Sequence, residues 1–117
     1  MKVHVTGMGI ISALGNNVAE NFDSLSNGRD GLSPISGISV LRKDYVGGQI
    51  NLSNKELMEL ADLPSRKNVQ RATLLAVIAA REAWGSRGQG STSRCRSAVI
   101  YGTTVGSIDL DGEEIKK

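Results

Sequence analysis

The stretch that decides the fold is VHVTGMGIISALGNNVAENF, residues 3–22. A run of β-forming residues predicts a strand over 2–6, and an amphipathic pattern predicts a helix over 18–26. Gly7 and Gly9 lie between these two predicted elements. Glycines at such a position either approach the phosphates of a dinucleotide or allow close contact with other parts of the backbone.

A dinucleotide-binding turn has the pattern G-x-G-x-x-G between strand and helix, with an acidic residue about 20 residues further on. Here Ser12 stands at the third glycine position, and Gly15 comes three residues too late. Asp30, at the expected distance, falls in a predicted loop. The predicted helix begins only after its N-cap Asn17, so its amide groups are remote from Gly7. We therefore expect this turn to bind no nucleotide.

The rest of the chain predicts alternating helices and short strands. Further helices are predicted over 54–61, 68–84 and 108–117, and strands over 97–102 and, more weakly, 44–51. Ser53 and Glu56 have the spacing of a capping box. The segment 29–42 is predicted to be irregular. Strands separated by helices predict an α/β fold with a parallel or mixed sheet.

The helix over 68–84 is apolar around nearly its whole circumference, which predicts that it is buried on all sides. The strand over 97–102 has the composition of a strand buried on both faces. Three predicted strands are too few to cover such a helix, so we expect this chain to be part of a larger unit.

Composition excludes several classes of protein. The net charge of +2 is too small for a nucleic-acid partner, and we interpret Arg87, Arg94 and Arg96 as part of a solvated loop. No apolar run approaches the ~20 residues of a membrane span. Cys95 is the only cysteine, so no internal disulfide forms. We expect a cytoplasmic protein without a nucleic-acid or membrane partner, and without a bound metal or cofactor.

The segment VHVTGMGIISALGNNVAENFDSLSNGRDGLSPI, residues 3–35, resembles the N-terminus of β-ketoacyl-acyl-carrier-protein synthases. These are the condensing enzymes of fatty-acid and polyketide synthesis. The matching motifs, in order, are V-T-G-M-G at 5–9, L-G-N at 14–16, the turn at 28–32, the helix RATLLAVIAAREAW at 71–84 and AVIYGTTVGS at 98–107. The resemblance covers the whole chain.

The resemblance implies a partial thiolase-like fold. Residues 1–117 would form an N-terminal fragment, the opening part of the first of two duplicated α/β halves, and the early glycines would serve packing. It also implies acyl transfer and decarboxylative Claisen condensation, with substrates carried on the phosphopantetheine of acyl carrier protein and with a homo-oligomeric enzyme. The family uses a cysteine nucleophile and two histidines. His4 and Cys95 match none of those positions, so we expect no catalytic residue here and no activity from this chain alone.

The resemblance further implies that Thr104, Val105 and Gly106 form part of the acyl-pocket wall, with the bulk of Val105 influencing acyl-chain length. A plain strand-to-helix turn is the alternative at these positions. Two other interpretations of the chain stay open. It is either a non-catalytic truncated paralogue that acts as a binding or assembly module, or a small nucleotide-binding domain.

Overall fold

The computed structural model describes residues 2–35, 45–64, 69–85 and 98–103. The elements, in chain order, are helix α1 (Val18–Ser26), strands β1 (Leu32–Pro34) and β2 (Val46–Gly48), and helices α2 (Asn54–Leu60) and α3 (Arg71–Gly85). The prediction of an α/β chain is confirmed, and the three predicted helices that fall on described residues are all present. The helix predicted over 108–117 lies outside the described residues.

The sheet consists of β1 and β2, which pair antiparallel with Leu32 opposite Gly48 and Pro34 opposite Val46. The prediction of a parallel or mixed sheet is wrong for the described part of the chain. β2 lies within the weakly predicted strand over 44–51, whereas β1 lies in the segment predicted to be irregular. Because a strand of three residues has almost no periodicity of its own, its sequence pattern could not identify it.

The two segments expected to form the parallel layer form neither strand nor helix in the described part of the chain. Within the described ranges, neither 2–6 nor 98–102 pairs with another strand, so both strand predictions are wrong there. Val99 and Ile100 are 94% and 97% exposed, and Val3 and Val5 are exposed as well. A preference for β structure reflects packing on a pleated surface, and the described residues offer these side chains no such surface.

α1 has the predicted bounds because both of its ends are capped. The side-chain Oδ1 of Asn17 accepts a hydrogen bond from the backbone N–H of Glu20 at 2.8 Å. At the other end Gly28 has a φ of +67°, and the N–H of Arg29 donates to the carbonyl of Ser24 at 2.9 Å. This 6→1 bond satisfies a carbonyl that the helix itself leaves free.

The buried side chains of α1 are polar. Asn21 and Ser24 are buried. Phe22 lies on the apolar face of the predicted amphipathic helix, yet it is 72% exposed. The Asn21 amide donates to the carbonyl of Gly15 at 2.9 Å, and the Ser24 hydroxyl donates to the carbonyl of Leu14 at 2.7 Å. Hydrogen bonds therefore dock α1 on the preceding turn and satisfy polar groups that would be costly to bury unpaired.

α2 begins at the predicted capping box. Glu56 N–H donates to the Ser53 hydroxyl at 3.3 Å, and Ser53 N–H donates to the Glu56 carboxylate at 2.7 Å. The Ser53 hydroxyl and backbone hydrogen bonds lower the pKa of the exposed Glu56 below its usual value of 4.5. The helix ends at Leu60 with Ala61 as its C-cap, and Asp62 follows with a φ of 50°. Leu63 N–H then donates to the Met58 carbonyl at 3.0 Å.

The buried core lies between α2 and α3. Leu57 and Ala61 at the C-terminal end of α2 pack with Leu74 and Ile78 of α3. Each pair is four residues apart and so shares one helix face. Full burial of each leucine contributes about 1.5–3 kcal/mol to stability. The prediction that α3 is buried on all sides is wrong in the described part. Trp84 is exposed, and of the α3 side chains only Leu74 and Ile78 are buried.

Two arginines of α3 hold the ends of α2. Arg71 donates to the carbonyls of Leu52 at 2.8 Å and Ile50 at 2.7 Å, just before α2 begins. Arg81 donates to the carbonyl of Ala61, where α2 ends. The contacts follow the same order along both helices, so α2 and α3 run in the same general direction.

Gly7 and Gly9 contact the backbone of α3 directly. A Cβ at Gly7 would overlap the carbonyl oxygen of Ala83, and a Cβ at Gly9 would overlap the carbonyl oxygen of Ala79. The same Cβ at Gly9 would lie 2.8 Å from the nitrogen of Ala83. These contacts allow no side chain on the turn, and they occur where the facing helix residues are alanines.

Glu82 joins this turn to α1. Its Oε2 accepts a hydrogen bond from Ile10 N–H at 3.0 Å, and its Oε1 accepts one from Val18 N–H at 2.7 Å. Val18 is the first residue of α1, and its N–H has no acceptor within the helix. A carboxylate also interacts favourably with the positive end of a helix dipole. One side chain of α3 therefore fixes both the turn and the start of α1.

We predict that Gly9→Ala lowers the free energy of unfolding by about 1–3 kcal/mol, because the new methyl group requires the turn to move off α3. Gly85→Ala is the matched control. A Cβ at Gly85 meets nothing within 4 Å, and alanine favours the helix. Urea denaturation followed by circular dichroism measures both. Equal midpoints for the two variants would contradict the contact between the turn and α3.

We predict that Glu82→Gln lowers the free energy of unfolding by about 1–3 kcal/mol, because one of the two N–H groups then faces an amide NH₂ instead of an oxygen. Glu59→Gln removes the same charge from an exposed site on α2 and should change the free energy of unfolding by less than about 0.5 kcal/mol. The same denaturation experiment compares them. A Glu82→Gln variant as stable as Glu59→Gln would show that the bridge contributes nothing.

Candidate functional site

The predicted acyl-pocket residues Thr104, Val105 and Gly106 lie outside the described residues, as does Cys95. The segment that leads to them, 98–103, is exposed along its whole length. Their assignment to a pocket wall therefore stays a prediction.

His4 lies in the exposed segment before Gly7. In the described ranges it contacts no carboxylate, so no catalytic dyad forms there. Nor does that part of the chain bring together three His, Cys, Asp or Glu side chains that could hold a metal ion. Among the described helices, none has the length and apolar character needed to cross a membrane.

The glycine turn has little capacity to bind a phosphate. A phosphate-binding turn offers free N–H groups at a helix N-terminus. Here the N–H groups of Ile10 and Val18 donate to Glu82, and the N–H of Asn16 donates to the Glu20 carboxylate at 2.8 Å. A phosphate at this position would meet two carboxylates at close range. The geometry argues against the nucleotide-binding interpretation and supports the packing role that the resemblance implies.

Two open depressions flank the segment 49–53. One, of about 210 Å³, lies between this segment and the turn at 12–16. The other, of about 550 Å³, extends from β1 to Arg71. The Arg71 guanidinium donates to backbone carbonyls of the wall, so its hydrogen bonds serve the fold. Among the described residues that line them, neither depression contains a cysteine or a histidine, and neither has the constellation of an acid, a base and a nucleophile.

A third depression, of about 410 Å³, lies beside the end of α1. Its charged residues are Arg29 and Asp30. Arg29 forms an exposed ion pair with Asp23, and the Asp30 carboxylate accepts the N–H of Leu32 at 2.9 Å. Both charges therefore serve the turn that follows α1, and neither of these two described side chains points to a catalytic role.

Glu82, which accepts hydrogen bonds from both the glycine turn and the start of α1, was not predicted from the sequence. The sequence contains a signal for it, because Glu82 is the only acidic residue in α3, a helix made mostly of apolar residues. A half-buried carboxylate in an apolar helix needs hydrogen-bond donors. The sequence does not say which donors, because Ile10 and Val18 are 72 and 64 residues away.

Comparison with known proteins identifies the family. The family model described as "Beta-ketoacyl synthase, N-terminal domain" matches residues 1–116. The chain is also 26% identical over 110 residues to "3-oxoacyl-[acyl-carrier-protein] synthase 2" of Coxiella burnetii. That match covers 92% of this chain but only 26% of the length of the relative. No solved structure matches. The resemblance in the sequence motifs is thus confirmed, and the chain belongs to the β-ketoacyl synthase family and corresponds to an N-terminal portion of its members.

Proposed function

We propose that this chain forms the N-terminal part of a 3-oxoacyl-[acyl-carrier-protein] synthase, which carries out acyl transfer and decarboxylative Claisen condensation. The observation that carries the proposal is the match of the N-terminal-domain model over 1–116. The packing of Gly7 and Gly9 on α3 supports it, because a turn used for packing fits this family better than a dinucleotide site does. The whole molecule would have a thiolase-like fold.

The proposed chemistry needs groups that these 117 residues do not supply. A cysteine thiolate attacks an acyl thioester, and the carrier's thiol leaves. A malonyl thioester then loses CO₂, and the resulting carbanion attacks the acyl-cysteine, which releases the 3-oxoacyl product and frees the cysteine. Two histidines assist decarboxylation and stabilise the oxyanion. The chain has one cysteine and one histidine, so the reactive groups belong to polypeptide other than these 117 residues.

The proposal also covers the substrate carrier, the acyl-pocket wall, and the oligomeric state and location of the enzyme. Acyl chains would arrive on the phosphopantetheine of acyl carrier protein, and no other cofactor would be required. Thr104, Val105 and Gly106 would contribute to the wall of the acyl pocket. The enzyme would be a cytoplasmic homo-oligomer in fatty-acid or polyketide synthesis. Support for the carrier protein as partner comes from the Coxiella burnetii relative, which is named as an acyl-carrier-protein synthase.

We predict that the isolated 117-residue chain gives no condensation product with acyl- and malonyl-carrier protein. A chimera in which this chain replaces the matching quarter of the Coxiella burnetii synthase should be active, because the remainder supplies the cysteine and histidines. Product formation is measured by mass spectrometry. Turnover by the isolated chain would contradict the proposal. A folded but inactive chimera would favour the binding or assembly module instead.

We predict that Val105 sets acyl-chain preference in the same chimera. Val105→Phe should shift the ratio of kcat/KM values towards shorter acyl chains by about tenfold or more, and Val105→Ala should shift it towards longer chains. Val46→Phe, at an exposed position of β2, is the control and should leave the ratio unchanged. If Val105→Phe slows all chain lengths equally, Val105 does not line the acyl pocket.

A further inference from the structure

The turn after α1 contains the only Asn-Gly pair in the sequence, Asn27-Gly28. In such a pair the glycine has no side chain to hinder the attack of its backbone nitrogen on the asparagine Cγ. Both residues are exposed, and a Cβ at Gly28 would meet nothing within 4 Å. Water and hydroxide therefore reach the reacting groups. The pair has the composition and the accessibility needed for deamidation, in which an asparagine is converted to an aspartate without an enzyme.

Deamidation of an Asn-Gly pair proceeds through a cyclic imide. Hydroxide removes the amide proton of Gly28, and the Gly28 nitrogen then forms a bond to Cγ of Asn27. The bond from Cγ to Nδ2 breaks, and ammonia leaves with a proton taken from water. A water molecule next adds to either carbonyl of the imide and opens the ring. The product is aspartate or isoaspartate at position 27, and the isoaspartate adds its Cβ to the main chain.

The C-terminal cap of α1 holds both the leaving group and the nucleophile of this reaction. The Asn27 Nδ2 donates to the Asp23 carbonyl at 2.8 Å and to the Asp23 carboxylate at 2.9 Å. The Gly28 N–H donates to the carbonyl of Leu25 at 3.1 Å. Asn27 has a ψ of 9°, which nearly eclipses the Gly28 nitrogen with the Asn27 nitrogen and turns it away from Cβ. Ring closure therefore requires the cap to open.

We propose that Asn27 is a site of spontaneous deamidation whose rate is set by opening of the α1 cap. Helix ends open locally at low free energy, so native molecules reach the reactive geometry without global unfolding. The product keeps the cap open. A carboxylate at position 27 lies beside Asp23 at the negative end of the helix dipole, and an isoaspartate moves the Gly28 N–H off its acceptor. The inference does not depend on the proposed function.

The experiment incubates the 117-residue chain at mildly alkaline pH, in native buffer and in guanidinium chloride. Peptide mass spectrometry follows the replacement of NH by O at position 27. We expect deamidation in both solutions, slower in native buffer by about tenfold or more, because the cap must open first. D23A removes the carboxylate acceptor and should raise the native rate about fivefold, with the rate in guanidinium unchanged. Asp23 is exposed and alanine favours the helix, so circular dichroism should show undiminished helix content.

E59A is the matched control, because it removes the same charge from an exposed position of α2 and should leave both rates unchanged. Equal rates for the unsubstituted chain in the two solutions would overturn the inference, as would no deamidation at position 27 in guanidinium. A native rate in D23A equal to that in E59A would also overturn it. If D23A loses helix content, hydrogen exchange of the Gly28 amide in the unsubstituted chain decides instead. Slowed exchange supports the inference, and exchange at the rate of an unprotected amide overturns it.

Discussion

The described structure depends on the close approach of one turn to one helix. Gly7 and Gly9 lie so near the carbonyls of Ala83 and Ala79 that neither can carry a side chain. Glu82, on the same helix, accepts hydrogen bonds from the end of that turn and from the first residue of α1. The steric fit sets how near the elements come, and the carboxylate sets how α1 is placed beside them. Without the glycine contacts and the Glu82 hydrogen bonds, α1 would be held only by the hydrogen bonds of Asn21 and Ser24 to the preceding turn.

This constraint also explains why the sequence around Gly7 and Gly9 has two possible functional interpretations. A turn that cradles phosphate and a turn that packs on a helix both exclude side chains, so both require glycine. What distinguishes them is the group on the other side of the turn. Here that group is the backbone of α3, and the nearby amide groups are bonded to the carboxylate of Glu82. Membership of the β-ketoacyl synthase family agrees with the packing role.

Features fixed by neighbours a few residues away were predictable from the sequence. The Asn17 cap and the Ser53–Glu56 capping box are local hydrogen bonds, and α1 and α2 have the expected limits.

Features fixed by distant partners were not predictable. The polar buried face of α1 at Asn21 and the bridging role of Glu82 depend on donors and acceptors elsewhere in the fold. The strand predictions over 2–6 and 98–102 were wrong for the same reason, since a strand needs a neighbour as well as β-forming residues. The acyl-pocket residues were predicted from family motifs alone.

The most direct test of the packing role is a nuclear Overhauser spectrum of the isotope-labelled chain, recorded with and without NAD. The account predicts cross-peaks between the α-protons of Gly9 and protons of Ala79 and Ala83. It also predicts no change in the amide shifts of the turn when NAD is added. Absence of those cross-peaks, or amide shifts at Gly7 and Gly9 that move in proportion to bound NAD, would contradict it.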